Sequence, residues 1–162
     1  MGTVNINRGD LNARGIKFAI VAARFNEVIV EPLLDGALTT FKQQGVTEQD
    51  VDVIRVPGAF ELPLIARKLA ASKRYGAVVA LGAVIRGGTP HFEYVCNEAA
   101  SGLTRAALDT GIPIVFGVLT TDTLAQAEER AGPGEGNKGA EAALVAIEMA
   151  NLVQQLERRA GQ

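Results

Sequence analysis

The sequence predicts a flavodoxin-like α/β protein, a three-layer sandwich in which a four-stranded parallel sheet is flanked by helices on both faces. Four short segments rich in β-branched residues are separated by longer segments in which apolar residues recur at helical spacing. Strands that alternate with helices form right-handed crossovers, which make the sheet parallel and cover it on both sides. The predicted strands span 16–22, 51–56, 77–81 and 112–119.

The segments that follow these strands predict helices, each with one apolar stripe that can face the sheet. The stripes cover 30–41, 62–69, 90–109 and 145–156, and a short Ala/Glu-rich helix ends near Arg130. A chain of 162 residues has the usual size of one domain. We therefore expect a single domain over 1–162, with an N-terminal extension over 1–14.

Composition and charge argue against several function classes. A formal net charge of -2 gives no basic surface for nucleic acid. The single Cys96 cannot form an internal disulfide, and the single His91 has no Cys/His cluster around it, so we expect no metal. The longest nearly apolar run, 76–85, is about half of the roughly 20 residues that a membrane-spanning helix needs. Residues 1–15 are polar and lack the apolar core of a secretory signal, so we expect a cytoplasmic protein.

In an open parallel sheet, ligands bind beyond the carboxyl ends of the strands. One segment in such a position, Arg86-Gly-Gly-Thr-Pro-His91, is the most informative in the chain. Its two glycines let the backbone approach a ligand, while Thr89 can cap a helix and Pro90 can begin it. Free N–H groups at the start of a helix favour a phosphate group. The alternative is an ordinary capped turn.

His91 would lie in the first turn of that helix, where the helix dipole disfavours the imidazolium form. A neutral ring beside a phosphate site suits general acid–base chemistry, whereas an incidental surface or core histidine is the alternative. Cys96 has no adjacent base in the sequence, so burial in the helix is favoured over a role as a nucleophile.

Phe25 and Phe60 each follow a predicted strand, where two rings could hold a flat heterocycle. Each could equally be a core residue. Glu61, at the start of a helix, is a candidate acceptor for hydroxyl groups, although acidic residues are common there because of the helix dipole.

The stretch 134–139 matches the G-x-G-x-x-G pattern but follows a helix rather than a strand, so a dinucleotide site is not predicted. Lys138 opposes the dipole in the first turn of the last helix and needs an anionic partner, either Glu141 or a ligand. Arg130 could cap the carbonyl groups of its own helix or bind phosphate.

From about residue 14 to 158 the chain resembles the lumazine synthase family. The motifs that carry the resemblance, in order and at matching spacing, are 23–26 (Ala-Arg-Phe-Asn), 56–63 (Val-Pro-Gly-Ala-Phe-Glu-Leu-Pro), 82–92 (Gly-Ala-Val-Ile-Arg-Gly-Gly-Thr-Pro-His-Phe), 116–121 (Phe-Gly-Val-Leu-Thr-Thr) and 136–143 (Gly-Asn-Lys-Gly-Ala-Glu-Ala-Ala).

The resemblance implies that 5-amino-6-ribitylaminouracil condenses with 3,4-dihydroxy-2-butanone 4-phosphate to give 6,7-dimethyl-8-ribityllumazine, water and phosphate, without a cofactor. It also implies that His91 shuttles protons and that Phe25 stacks on the pyrimidine ring. The residues that it places around the uracil and ribityl groups are Asn26, Ala59, Phe60, Glu61, Ala83, Val84 and Ile85. Those that it places at the phosphate are Gly88, Thr89 and Arg130, with Lys138 and Glu141 close by and Phe116 supplied by a neighbouring subunit.

For assembly, the resemblance implies a homopentamer. Members of the family also form sixty-subunit shells of twelve pentamers, and the loop at 133–135 differs from the more basic stretch of relatives without an inserted residue, which favours the shell. Riboflavin synthase is then a candidate cargo. Two other functions remain open: a shell protein that binds a lumazine or flavin without turnover, and an archaeal-type riboflavin synthase.

Overall fold

The computed structural model describes residues 2–133 and 136–162. The strands are β1 (Phe18–Ala23), β2 (Val51–Val56), β3 (Ala77–Ile85) and β4 (Ile114–Thr121). They form a four-stranded sheet in the order β2-β1-β3-β4, and all three pairings are parallel. The predicted parallel sheet is therefore confirmed.

Helices cover both faces of the sheet. They are α1 (Glu27–Gln43), α2 (Leu62–Ala71), α3 (His91–Thr110), α4 (Leu124–Ala131) and α5 (Lys138–Ala160), with short 3₁₀ turns at Glu48–Asp50 and Ala59–Glu61. Helices α1, α4 and α5 pack on one face, and α2 and α3 pack on the other, which is the predicted three-layer sandwich. Among the described helices, none combines the length and apolar character needed to span a bilayer.

The two central strands are buried on both faces because helices cover each side. In β1, Ile20 faces the α1/α5 layer and the next residue, Val21, faces the α2/α3 layer. In β3, Leu81 faces the α1/α5 layer and Ala80 faces the α2/α3 layer. This arrangement explains why both strands are nearly continuous apolar runs rather than alternating ones.

Strand β3 continues to Ile85, beyond the predicted end at residue 81. The extension forms because β4 pairs with β3 as far as Ile85 and Thr121. Residues 83–85 thus belong to the end of the strand, and the loop toward α3 begins only at Arg86. Strand β4 begins at Ile114 rather than at 112, directly after Pro113, which has no backbone N–H to donate to a ladder.

Part of the N-terminal extension packs against α5, which the sequence did not predict. The side-chain amide nitrogen of Asn151 donates to the carbonyl oxygens of Asp10 at 2.7 Å and Asn12 at 2.9 Å. Gly9 is so close to α5 that an added Cβ would lie 1.9 Å from the Glu148 carbonyl oxygen. These contacts attach the segment around residues 9–12 to the sandwich.

A test of the α1/α5 contact uses Gly139, where an added Cβ would lie 1.9 Å from the carbonyl oxygen of Leu33. We expect Gly139→Ala to lower the thermal unfolding midpoint, because overpacking costs roughly 1–3 kcal/mol. This cost outweighs the gain of up to about 1 kcal/mol that alanine brings to a helix. The control is Gly161→Ala, where the nearest described atom would be at an ordinary 3.7 Å. Equal midpoints for both variants would contradict the predicted constraint.

Candidate active site

A cleft of about 570 Å³ lies at the carboxyl edge of the sheet. The segments that follow β1, β2 and β3 meet there, as expected for an open parallel sheet. Residues that line it include the predicted site residues Phe25, Asn26, Ala59, Phe60, Glu61, Ala83, Val84, Ile85, Thr89 and His91. Gly87 and Phe92 of the predicted motif line it as well, as do Tyr94 and Val95, which the sequence had not singled out. Gly88 is exposed between two lining residues, Gly87 and Thr89.

The aromatic rings of the cleft are exposed rather than buried. Phe25 is 72% exposed and Phe60 is 58% exposed, so the interpretation of either ring as a core residue is wrong. The backbone N–H of Phe25 donates to the Pro57 carbonyl oxygen at 2.9 Å, which ties the segment after β1 to the segment after β2. Two apolar rings in an open cleft provide faces on which a planar molecule can stack.

Asn26 connects two strand ends beneath the cleft. Its side-chain amide nitrogen donates to the carbonyl oxygen of Ala83, near the end of β3, at 2.7 Å. Its backbone is left-handed, with φ 62° and ψ 44°, a conformation that asparagine adopts more readily than most residues. The strained backbone turns the chain from β1 into α1 directly beside Phe25.

The loop after β3 leads into α3, which begins at His91, one residue later than predicted. Within the described part of the chain, no side chain caps this helix, so the prediction that Thr89 does so is wrong. Pro90 occupies the cap position with helical backbone angles, and the Thr89 hydroxyl oxygen lies 3.5 Å from the His91 backbone nitrogen, at the limit of a hydrogen bond. Amides in the first turn of a helix lack partners within the helix, which leaves a site for an anion.

Gly87 and Gly88 are not required by the local backbone. Neither has a positive φ, and an added Cβ would meet no described atom within 4 Å. The space in front of this loop is therefore open, and the chain itself does not explain why both residues are glycine.

An ionic cluster that the sequence analysis missed surrounds Arg86. The Arg86 guanidinium donates to Asp122 at 2.8 Å and to the carboxylate of Glu93. The hydrogen bond from Arg86 is the main reason that the pKa of Glu93 is lowered from its ordinary value. The three residues come from the ends of β3 and β4 and the first turn of α3, so only the folded chain brings them together.

The remaining predicted residues lie in a second cavity, of about 380 Å³. It lies beside β4 and the start of α5, and its lining includes Phe116, Arg130, Lys138 and Glu141. None of the described residues that line this cavity also lines the cleft. A single chain therefore divides the predicted site between two separate cavities.

The cations of the second cavity have partners within the chain. The Lys138 ammonium contacts the Glu141 carboxylate at 2.8 Å, which confirms the first of the two partners considered for it. The Arg130 guanidinium donates to the Gln126 carbonyl oxygen at 2.9 Å, which lies inside its own helix and is not one of the last four carbonyl groups that a cap would satisfy. Its side chain is still 47% exposed, which leaves the guanidinium accessible.

Cys96 lies partly buried within α3 and packs against the α2/α3 core, as predicted. Burial raises the pKa of its thiol, which disfavours the thiolate form that a nucleophile requires. Among the described residues, no three His, Cys, Asp or Glu side chains are grouped so that they could hold a metal ion.

The fold and the cleft place the chain in a class of open α/β proteins with a ligand-type cleft at the carboxyl edge of a parallel sheet. Residues 15–154 match the sequence model of a family described as 6,7-dimethyl-8-ribityllumazine synthase. The chain belongs to this family.

Three relatives with that name resemble the chain over nearly its full length. The relative from Desulfotalea psychrophila is 58% identical over 153 residues, which cover 94% of this chain and 99% of the relative. The relative from Syntrophus aciditrophicus is 58% identical over 93% of this chain and 98% of its own length. The relative from Clostridium kluyveri is 53% identical over 95% of this chain and 100% of its own length.

Proposed function

We propose that this chain is a transferase of riboflavin biosynthesis that forms 6,7-dimethyl-8-ribityllumazine, water and phosphate. The substrates are 5-amino-6-ribitylaminouracil and 3,4-dihydroxy-2-butanone 4-phosphate. One observation carries the proposal: in a chain that belongs to the lumazine synthase family, exposed rings and the start of a helix line the same cleft. The cleft thus offers a stacking surface and an anion site to one pair of substrates.

The uracil substrate occupies the part of the cleft that carries the rings. Phe25 stacks on the pyrimidine, and Phe60 packs near it, because both rings are exposed there. The carboxylate of Glu61 accepts hydrogen bonds from hydroxyl or amine groups. The backbone at Ala83–Ile85 and the residues Asn26 and Ala59 complete the walls around the uracil and ribityl groups.

The phosphate substrate binds where the loop after β3 enters α3. Gly88 and Thr89 present backbone amides and a hydroxyl group, and the helix dipole favours the negative charge. The open space in front of Gly87 and Gly88 supports this placement, since side chains there would occupy the volume of the phosphate. Developing charge on the departing phosphate is stabilised by the same groups and by Arg130.

His91 transfers protons in the reaction. The amine of the uracil substrate attacks the ketone carbon, a C–N bond forms, and the carbonyl oxygen leaves as water. Loss of a proton from the neighbouring carbon then breaks the C–O bond to the phosphate, which departs with the bonding electrons, and the resulting enol takes up a proton to become a ketone. The ribityl-bearing nitrogen attacks this ketone, and a second water leaves as the ring closes. His91 borders the cleft in the first turn of α3, between the uracil and phosphate regions, so one side chain can serve these proton transfers.

The complete site draws on two subunits of a homopentamer. Phe116, Arg130, Lys138 and Glu141 lie in the second cavity of the same chain and outside the cleft. Phe116 is 46% exposed on β4, which forms one edge of the described sheet, so it can face a neighbour's cleft. We further propose that pentamers form a cytoplasmic sixty-subunit shell that can carry riboflavin synthase. Residues 134–135 of the loop on which the shell argument rests lie outside the described residues.

Two other functions make different predictions for the same cleft. A binding or shell protein would hold a lumazine or flavin without turnover. An archaeal-type riboflavin synthase would convert two lumazines without the butanone phosphate. The open anion site beside His91 supports the condensation, because neither alternative requires a phosphate group next to a proton-transfer residue.

We expect the purified protein to form lumazine from the two substrates in the presence of a metal chelator. Absorbance of the product measures the rate, and lumazine alone serves as the control substrate. Riboflavin formation from lumazine alone would favour the riboflavin synthase, and tight lumazine binding without turnover would favour the binding protein. Activity that is lost in chelator and restored by added metal would contradict a metal-free mechanism.

We expect His91→Ala to lower kcat by on the order of 10²-fold, the effect of removing an acid–base group. Affinity for the product lumazine, measured by fluorescence titration, should stay within a few-fold of wild type, because the rings of the cleft remain. An unchanged kcat would remove His91 from the mechanism.

Subunit mixing tests the shared site. We expect Arg130→Ala to raise the KM of the phosphate substrate, because a charge-assisted contact is lost. When His91→Ala and Arg130→Ala chains are dissociated, mixed in equal amounts and reassembled, about one quarter of the sites should receive both intact residues from different subunits. At low concentrations of the phosphate substrate, the rate of the mixture should therefore exceed the average of the two separate variants.

The control mixes His91→Ala with Phe25→Ala, because both residues lie on the same side of the proposed subunit boundary. No intact site forms in that mixture, so its rate should not exceed the average of the separate variants. Absence of recovery in verified mixed pentamers of the first pair would contradict the shared site.

A further inference from the structure

Arg86 is the first residue after β3, and it joins three parts of the chain. Its backbone N–H donates to the Thr121 carbonyl oxygen at 2.9 Å, next to the end of the β3–β4 pairing. Its guanidinium donates to Asp122 at 2.8 Å and to Glu93. The guanidinium carbon also lies 4.3 Å from the centre of the Phe92 ring. These contacts link the strand ends to the first turn of α3.

These contacts connect the two ends of the loop that carries the groups proposed to bind phosphate and to transfer protons. Arg86 lies just before Gly87, while Phe92 and Glu93 lie just after His91. Two consecutive glycines give the backbone of this loop more conformational freedom than other residues would, and no described atom lies within 4 Å of a Cβ added to either of them. Arg86 joins the two ends of the loop through its contacts with Asp122 and Glu93, and these contacts restrain the segment between them.

We propose that Arg86 is a positioning residue that, through Glu93 and Asp122, fixes the loop from Gly87 to His91 for the reaction. The inference rests on the proposed function, because it concerns the orientation of the groups that act on the substrates. The three side chains are called the Arg86 clasp. The clasp holds the first-turn amides and His91 in place before the substrates bind, which removes an ordering cost from the reaction.

Direct binding of phosphate by Arg86 is the competing role. Two carboxylates contact the single guanidinium, so the cluster has a formal charge of -1, the sum of one positive and two negative groups. Such a cluster does not attract a phosphate dianion. The two roles therefore predict opposite effects when a carboxylate is removed.

The test compares Arg86→Gln, Arg86→Lys, Glu93→Gln and Asp122→Asn in the assembled enzyme. We expect Arg86→Gln to lower kcat about tenfold or more, as for other losses of catalytic geometry. Glu93→Gln and Asp122→Asn should also lower kcat. Arg86→Lys should recover little, because an ammonium group cannot donate to both carboxylates with the planar geometry of arginine. Adding Glu93→Gln to Arg86→Gln should cause little further loss, since one interaction network is already broken.

The matched control is Arg67→Gln. Arg67 pairs with Asp109 at 2.6 Å, and these side chains are about as exposed as those of the clasp. The pair joins α2 to the last turn of α3, away from the loop. We expect wild-type kcat for this variant.

Amide hydrogen exchange of the peptide that covers the loop provides a readout independent of activity. Exchange from Gly87 to His91 should be faster in Arg86→Gln than in wild type and unchanged in Arg67→Gln. Unchanged exchange would overturn the clasp whether or not the protein is active. A lower phosphate-substrate KM in Glu93→Gln, with a higher KM in Arg86→Gln, would show direct phosphate binding and also overturn it. If wild type makes no lumazine but exchange responds as expected, the proposed function fails and the positioning of the loop stands.

Discussion

The parallel pairing of β3 with its two neighbours is the constraint on which the site depends. β1 pairs with β3 from Phe18 and Ala77 onward, and β4 pairs with it as far as Ile85 and Thr121. Because the three strands run in the same direction, their following segments leave the sheet at one edge. That edge receives a ring from the segment after β1, a glycine loop from β3 and a carboxylate from β4. The backbone pairing of the strands therefore brings residues that are distant in sequence close together, without the need for a side-chain interaction between them. A shift of the β3–β4 register would separate Arg86 from Asp122 and change the start of α3.

The parallel sheet and the approximate site could be predicted because they depend on local patterns. Apolar runs identified the strands, and the segments after them contained the residues that line the cleft. Features that depend on distant partners could not be predicted. The end of β3 is set by its pairing with β4. Asn151 resembles an ordinary polar helix residue in the sequence, yet it binds the backbone at Asp10, 141 residues away. Asn137 likewise donates to the carbonyl oxygen of Pro32, 105 residues away. The absence of a Thr89 cap reflects the helical backbone of Pro90, which takes the cap position itself.

The phenylalanines show why residue type alone does not separate core from site. Phe18 and Phe41 stack in the core with ring centres 4.7 Å apart, while Phe25 and Phe60 are largely exposed. The difference is positional, since Phe18 lies within a strand and the exposed rings follow strands whose carboxyl ends open to solvent. An exposed apolar ring gains nothing from burial in the isolated chain. Two such rings line the same cleft, and the proposed function assigns them a planar substrate as the partner that covers them.

The charged side chains of the candidate site are also held in place by partners within the chain. A phosphate needs positive groups, but a free cation in a flexible loop would have to be ordered when the substrate arrives. The chain instead holds Arg130 against the Gln126 carbonyl oxygen and Lys138 against Glu141, while both side chains stay about half exposed. The glycine loop carries only neutral amides, and its nearest cation is already engaged by two carboxylates. In the proposed function, the attraction for phosphate is divided between the helix start in one cavity and the cations in the other. If the two cavities meet across a subunit boundary, as proposed, full affinity for the phosphate substrate arises only in the assembly.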